Sequence, residues 1–285
     1  MGEQAAKRVR QRSIRRTVSY SGIGLHTGTS STIVLQPAPP GSGVIFVRDD
    51  LPGMPKVRAR LPNVKSTSRG TSLVADGIEV RTVEHLMAAL LGLGVSNVTV
   101  EMDNLELPAA DGSSLPFVRL LEEAGVEEQA EWAEEIVLRK PAWVSEGDRH
   151  IIALPCDRTR IDFFIVFEHP LIGLQTKGYD IKSEVFVREI APARTFGFLE
   201  EVEVLHSRGL AVGGSLDNSV VFSKEGVLNR DGLRFPDEPV RHKILDLIGD
   251  ISLLGAIPRV HIVAIKSGHS LNLKLADRIA AHISS

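Results

Sequence analysis

From Thr71 onward the apolar and polar positions fall into short repeating units. Thr71–Val74 and Ile78–Arg81 flank Asp76-Gly77, a pair that supplies the positive φ angles of a tight hairpin turn. Val83, Leu86, Met87, Leu90 and Leu91 then recur at helical spacing, with Thr82 as the expected N-cap and Gly92 and Gly94 as the stop. Val98, Val100 and Met102 alternate as a strand, and Asp111-Gly112-Ser113 opens a second helix running through Phe117, Leu120 and Leu121. Glu122 to Glu135 holds seven glutamates among few apolar residues and reads as a helix end followed by an acidic linker. Beyond it the order partly recurs: Asp231-Gly232-Leu233, a helix from Val240 to Leu254, a strand Val260–Ile265, a loop at Ser267-Gly268-His269 and a final helix. The two halves look like a diverged duplication. The expected class is α+β: two sandwich domains, residues 1–126 and 136–285, joined by a linker at 127–135, each with a helix layer over one face of a sheet. If the helix layers face each other, the cleft between them is the natural place for a site.

The helix near residue 240 carries the most information. Ile244, Leu245, Leu247, Ile248, Ile251, Leu253 and Leu254 make it apolar on nearly every side, so it should be buried. Yet His242, Asp246 and Asp250 fall at i, i+4 and i+8 and stack along one face. Burying them unpaired costs several kcal/mol, on the order of the penalty for a lone interior charge. A divalent cation held by His242 and Asp246 would offset that cost; a salt-bridged face beside Arg241 and Lys243 is the competing reading. In the earlier helix Glu84 directly precedes His85, about 100° away around the axis. Both cannot easily hold one ion, so His85 is the candidate ligand and Glu84 the candidate base beside it, unless the two are ordinary boundary residues. His85, His242 and Asp246 would leave a fourth position open, as in a catalytic rather than a structural zinc site. His269 stands at a helix start, where it can be a simple polar cap or can protonate an intermediate, with Asp250 as the carboxylate that keeps its ring charged. His150, His169, His206, His261 and His282 read as structural, and His26 is undecided.

Composition narrows the function classes. With 33 basic against 36 acidic residues in 285, the net charge of −3 gives no field for nucleic-acid phosphates, and 5% aromatics gives no stacking face. A nucleic-acid or protein-binding module is therefore disfavoured, and one three-ligand site argues against a two-metal phosphoesterase. No apolar run reaches the roughly 18 residues of a membrane span. One cysteine, Cys156, excludes an internal disulfide and a multi-thiolate metal site, which fits a reducing, cytoplasmic compartment. The basic cluster from Lys7 to Arg16 reads as a solvated tail leading into a first strand.

Several motifs are together similar to one family. Ser21-Gly-Ile-Gly-Leu-His26-Thr-Gly28, Thr82-Val-Glu84-His85-Leu86, Ala193-Arg-Thr195-Phe196-Gly-Phe198, Val240-Arg-His242-Lys243 with Asp246 and Gly249-Asp250, and Lys266-Ser-Gly-His269 resemble the UDP-3-O-acyl-N-acetylglucosamine deacetylases of lipid A biosynthesis. The resemblance runs from about Arg12 to the last helix and takes in Leu107-Pro108, Asp111-Gly112-Ser113 and Arg234-Phe235. It implies two α/β sandwiches and a metal amidohydrolase that removes acetate from the sugar nitrogen. It assigns His85, His242 and Asp246 to zinc, with iron(II) acceptable to the same donors, Glu84 as general base, and His269 as the acid oriented by Asp250. Only the resemblance implies that Thr195 polarises the substrate carbonyl, that Phe196 packs on the sugar, and that Lys243 and Lys266 lie near the diphosphate. It also implies a strand-helix-strand insert near 196–214 enclosing the acyl chain, where Leu199, Val202, Val204 and Ala211 can line an apolar passage. A small-molecule substrate, no nucleic acid, no integral membrane association and a monomer are the corresponding expectations.

Overall fold

The computed structural model of the chain describes residues 8–283, so Lys7 of the basic cluster lies outside the described residues. The protein is α+β. Its first large sheet has five strands: Val18–Ile23, Ser30–Pro37 and Val98–Met102 run in antiparallel succession, Val44–Arg48 lies parallel to the last of these, and Lys56–Arg58 closes the edge. Alternation sets the faces: Ser31, Ile33 and Leu35 point inward while their neighbours stay more exposed. The expected hairpin is present, with Asp76 and Gly77 at φ of 50° and 80°.

Helix α1 (Glu84–Leu93) is buried almost all round and ends at Gly94 in the left-handed region. Thr82 is not its N-cap. Val83 takes that place, while Thr82 itself has φ of 58° and donates its hydroxyl to the buried Glu106 carboxylate, so its oxygen is engaged away from the helix. Helix α2 (Leu115–Ala124) starts after the Asp111 turn, in which Asp111 accepts from the Ser113 N–H and hydroxyl.

The acidic stretch departs most from expectation. It contains a strand, Val126–Trp132, paired antiparallel with Arg10–Ile14. Arg12 meets Glu128 at 3.1 Å and Arg15 meets Glu127 at 3.8 Å, while Arg8 and Arg10 lie over the Trp132 ring. Two segments that each look solvated when read alone are thus partners. The ion pairs are exposed and add little, so the backbone ladder holds the pairing.

The second large sheet runs Ala142–Glu146, Arg149–Pro155, Ile257–Ile265, Arg160–Phe167 and Gly173–Asp180, with Glu135–Val137 added parallel to the start of Ile257–Ile265. A short helix α3 (Ser183–Val185) runs on into a wide turn at Phe186–Ile190. The strand-helix-strand unit follows: Phe196–Phe198, helix α4 (Leu199–Ser207) and Val220–Phe222, the two strands parallel. Its second strand lies beyond the expected limit at 214. Helices α5 (Glu238–Ser252) and α6 (His269–Ile283) complete the chain, and α5 packs along α1. They approach closely at Gly249, where an added Cβ would lie 2.2 Å from the Glu84 carbonyl oxygen. Only glycine permits that contact. Among the described residues no helix is long and apolar enough to cross a membrane.

Candidate functional site

The crossing of α1 and α5 places ionisable side chains from both helices in one buried group. The four-residue spacing along α5 splits the polar stripe: His242 and Asp246 turn toward α1, and Asp250 turns toward α6. His242 Nε2 lies 3.3 Å and His85 Nε2 3.8 Å from Asp246 Oδ1. One donor atom from each of the three residues lies within 4.8 Å of the other two, and all three residues are buried. His242 Nδ1 sits 3.0 Å from the Ala193 carbonyl oxygen, which can only accept, so Nδ1 carries a proton and Nε2 is the ring atom turned toward Asp246.

Protonation states in this group suit a cation. Burial, reinforced by the neighbouring His242, lowers the His85 pKa to about 3, and burial lowers that of His242 as well. Burial alone would raise the Asp246 pKa, but His242, Lys243, His269 and His85 outweigh it and hold the carboxylate ionised. Lys243 Nζ, at 2.7 Å from Asp246 Oδ2, takes part in this. Two neutral imidazoles and one carboxylate form the donor set of a divalent transition ion, whereas calcium and magnesium prefer oxygen alone. The residues present fit a metal.

Two further groups flank these three, with opposite tendencies. Burial, with Asp246 adding to it, raises the Glu84 pKa to about 7. Its carboxylate accepts the Thr71 N–H at 3.0 Å. His269 begins α6 with Nδ1 2.9 Å from Asp250 Oδ2 and Nε2 3.9 Å from Asp246 Oδ2. Burial opposes charge on this ring, but Asp250 and Asp246 overcome it and raise its pKa to about 10. Near neutral pH the arrangement therefore pairs a carboxylate able to take a proton with an imidazolium able to give one.

The remaining sequence candidates are distributed around this group. Thr195 is half-buried, its N–H donating to Gly112 and its carbonyl accepting from Val220, two residues after the Ala193 that holds His242. The Phe196 ring meets His242 edge-on at 6.4 Å and the Lys243 ammonium at 5.8 Å. Lys266 pairs with Asp148. On α4, Leu199 is exposed and Val202 half-buried; Ala211, past the end of the helix, has φ of 55°.

Some residues near the group were given no place in it by the sequence. His26 donates from Nε2 to the Arg69 carbonyl and accepts from the Ala211 N–H at Nδ1, so it ties the Gly24–Gly28 loop to the turn after α4. His169, read as structural, stands with Phe167, Phe198 and Phe222 around an open pocket of about 460 Å³ beside Phe196. The dispersed aromatics 167, 198 and 222 leave no local pattern that could have announced it. Asn272 donates to Asp250 at 2.8 Å, and its place three residues after His269 on the same helix was a signal available in the spacing.

Comparison with known proteins decides the family. Residues 11–281 match the model of the UDP-3-O-acyl N-acetylglycosamine deacetylase family. The chain belongs to that family. Among curated UDP-3-O-acyl-N-acetylglucosamine deacetylases, that of Myxococcus xanthus is 49% identical over 269 residues, covering 94% of this chain and 86% of its own. That of Syntrophotalea carbinolica is 46% identical over 95% of this chain and 88% of its own, and that of Chlamydia abortus 46% over 94% and 96%. The deacetylase family match spans α1 and α5 alike, so every residue of the buried group lies inside it.

Proposed function

We propose that the protein hydrolyses the N-acetyl group of UDP-3-O-[(3R)-3-hydroxyacyl]-N-acetylglucosamine, giving acetate and UDP-3-O-acyl-glucosamine, the committed step of lipid A biosynthesis. The observation that carries this reading is the three-donor group of His85, His242 and Asp246 set between a carboxylate and an imidazolium of opposite proton tendency, in a chain of this family. His85, His242 and Asp246 would hold Zn2+, with Fe2+ acceptable to the same donors. Bound zinc supplies Lewis acidity, polarising a carbonyl and making water acidic enough to be nucleophilic near neutral pH.

The chain's own residues move the protons. The Glu84 carboxylate takes a proton from water as the new C–O bond forms at the acetamide carbon. The His269 imidazolium gives its Nε2 proton to the departing nitrogen as the C–N bond breaks, so one water is consumed and one amine and one acetate result. Asp250 holds the opposite ring nitrogen and keeps Nε2 aimed inward. The Thr195 hydroxyl donates to the carbonyl oxygen as negative charge develops there, a contact worth most in the transition state. Phe196 packs on the sugar, Lys243 and Lys266 offer charge to the diphosphate, and Leu199, Val202 and Ala211 line the acyl passage.

Two sandwich units divided at residues 127–135, a monomer and a cytoplasmic setting complete the proposal. The pairing of each large sheet with its own helices supports the division, and the single free Cys156 supports the compartment. The test is to offer the purified protein its proposed substrate with and without a chelator and to follow acetate. Release that stops on chelation and returns with added zinc is expected; release indifferent to complete metal removal, or none from metal-loaded protein, overturns the reading.

A further inference from the structure

The two proton-transfer groups stand on different helices, Glu84 on α1 and His269 on α6, and one buried residue touches the supports of both. Thr71 precedes the strand Ser72–Ala75 and has no exposed surface. Its N–H donates to Glu84 Oε2 at 3.0 Å, and its carbonyl accepts the Val83 N–H at the start of α1. Its hydroxyl donates to Asp250 Oδ1 at 2.7 Å and lies 3.4 Å from His269 Nδ1. Asp250 has two other donors, His269 Nδ1 and Asn272 Nδ2, both from α6. Thr71 alone among the three comes from the N-terminal part of the chain, 179 positions away from Asp250.

We propose that Thr71 is a positioning residue for deacetylation: its backbone fixes the base, its hydroxyl fixes the carboxylate that aims the acid, and together they set the separation between the two. Gly70 supports this, because a Cβ there would lie 3.0 Å from Glu84 Oε1; the Gly70-Thr71 backbone is pressed against the base itself. Without the hydroxyl, Asp250 Oδ1 keeps only the longer 3.1 Å contact from His269, at a position with no exposed surface. The carboxylate then turns toward Asn272 and carries the imidazole with it. Displacement of a reacting group by about 1 Å costs on the order of a hundredfold in rate while leaving distant substrate contacts intact.

The side chain can be changed without losing the N–H, so variants isolate the arm that reaches Asp250. Thr71→Val keeps the shape and removes the hydroxyl; Thr71→Ser keeps the hydroxyl and removes the methyl. This inference rests on the deacetylase reading, and the experiment separates the two. Expected for Thr71→Val are a fall in kcat of about ten- to a hundredfold with KM and metal content unchanged, and a shifted His269 Nδ1–H proton resonance; Thr71→Ser restores both. An unchanged resonance and kcat in Thr71→Val, or a Thr71→Ser variant as impaired as the valine, overturns the role. Should the unmodified protein release no acetate, the functional reading fails, and the imidazole resonance still decides whether Thr71 positions His269.

Discussion

The helix crossing and the strand-helix-strand unit are built to opposite standards. At the crossing, His85, His242, Asp246, Glu84 and Asp250 are each at most 6% exposed, and nearly every polar atom has a partner from another element. In the unit around α4 no helix residue is buried, and Leu199, Val204, Val212 and Leu216 are 46–55% exposed. Chemistry needs fixed distances, so it sits where packing over-determines them. Recognition of a flexible apolar chain, the role proposed for the unit around α4, needs surface and tolerance, which light packing leaves.

This contrast breaks down if substitutions at the crossing are mild. His242→Ala should release the metal and lower kcat/KM by about 10⁴-fold or more, since it removes the Lewis acid outright; metal analysis together with acetate release measures both, and a normal metal content with normal rate would end the ligand assignment. Glu84→Ala should keep the metal and lose on the order of 10³-fold in kcat. The parent enzyme should also show a bell-shaped pH profile. Glu84 works deprotonated, so activity rises through its pKa of about 7; His269 works protonated, so activity falls through about 10. A flat profile between pH 5 and 9 would assign the proton transfers to other groups. The smallest effect belongs to the light region: Leu199→Ala should shift the preferred acyl length, at about tenfold or less per methylene, with turnover of the best substrate within about threefold. A general loss across all chain lengths would instead make α4 part of the catalytic frame.

What the sequence revealed follows the same division. The i, i+4, i+8 stripe on α5, the adjacent Glu84 and His85, and His269 at a helix start were readable because helical geometry turns spacing into direction. So were the Asp76-Gly77 hairpin and the strands at Val98–Met102 and Val260–Ile265, whose alternation is local. The pairing of Arg10–Ile14 with Val126–Trp132 was not, because nothing within either segment names a partner more than a hundred positions away. Thr82 misled for a related reason: its side chain obeys a capping rule locally, but Glu106 from a distant loop claims the hydroxyl. Thr71 was hidden in the opening of a plausible strand, where a buried threonine gives no sign of what its hydroxyl meets. Thr195, Phe196 and the lysines had no spacing argument at all and came only from resemblance.

Gly249 gives the crossing one more property. The gap between α1 and α5 is gauged there by main chain against main chain, with no carbon to spare. A side chain can be swapped, repacked or drift in rotamer; a peptide unit resting on another cannot. The span between the two histidine-bearing helices is therefore inherited from the polypeptide itself, and a single methyl at this one position would act as a wedge, prying His85 away from His242 and Asp246.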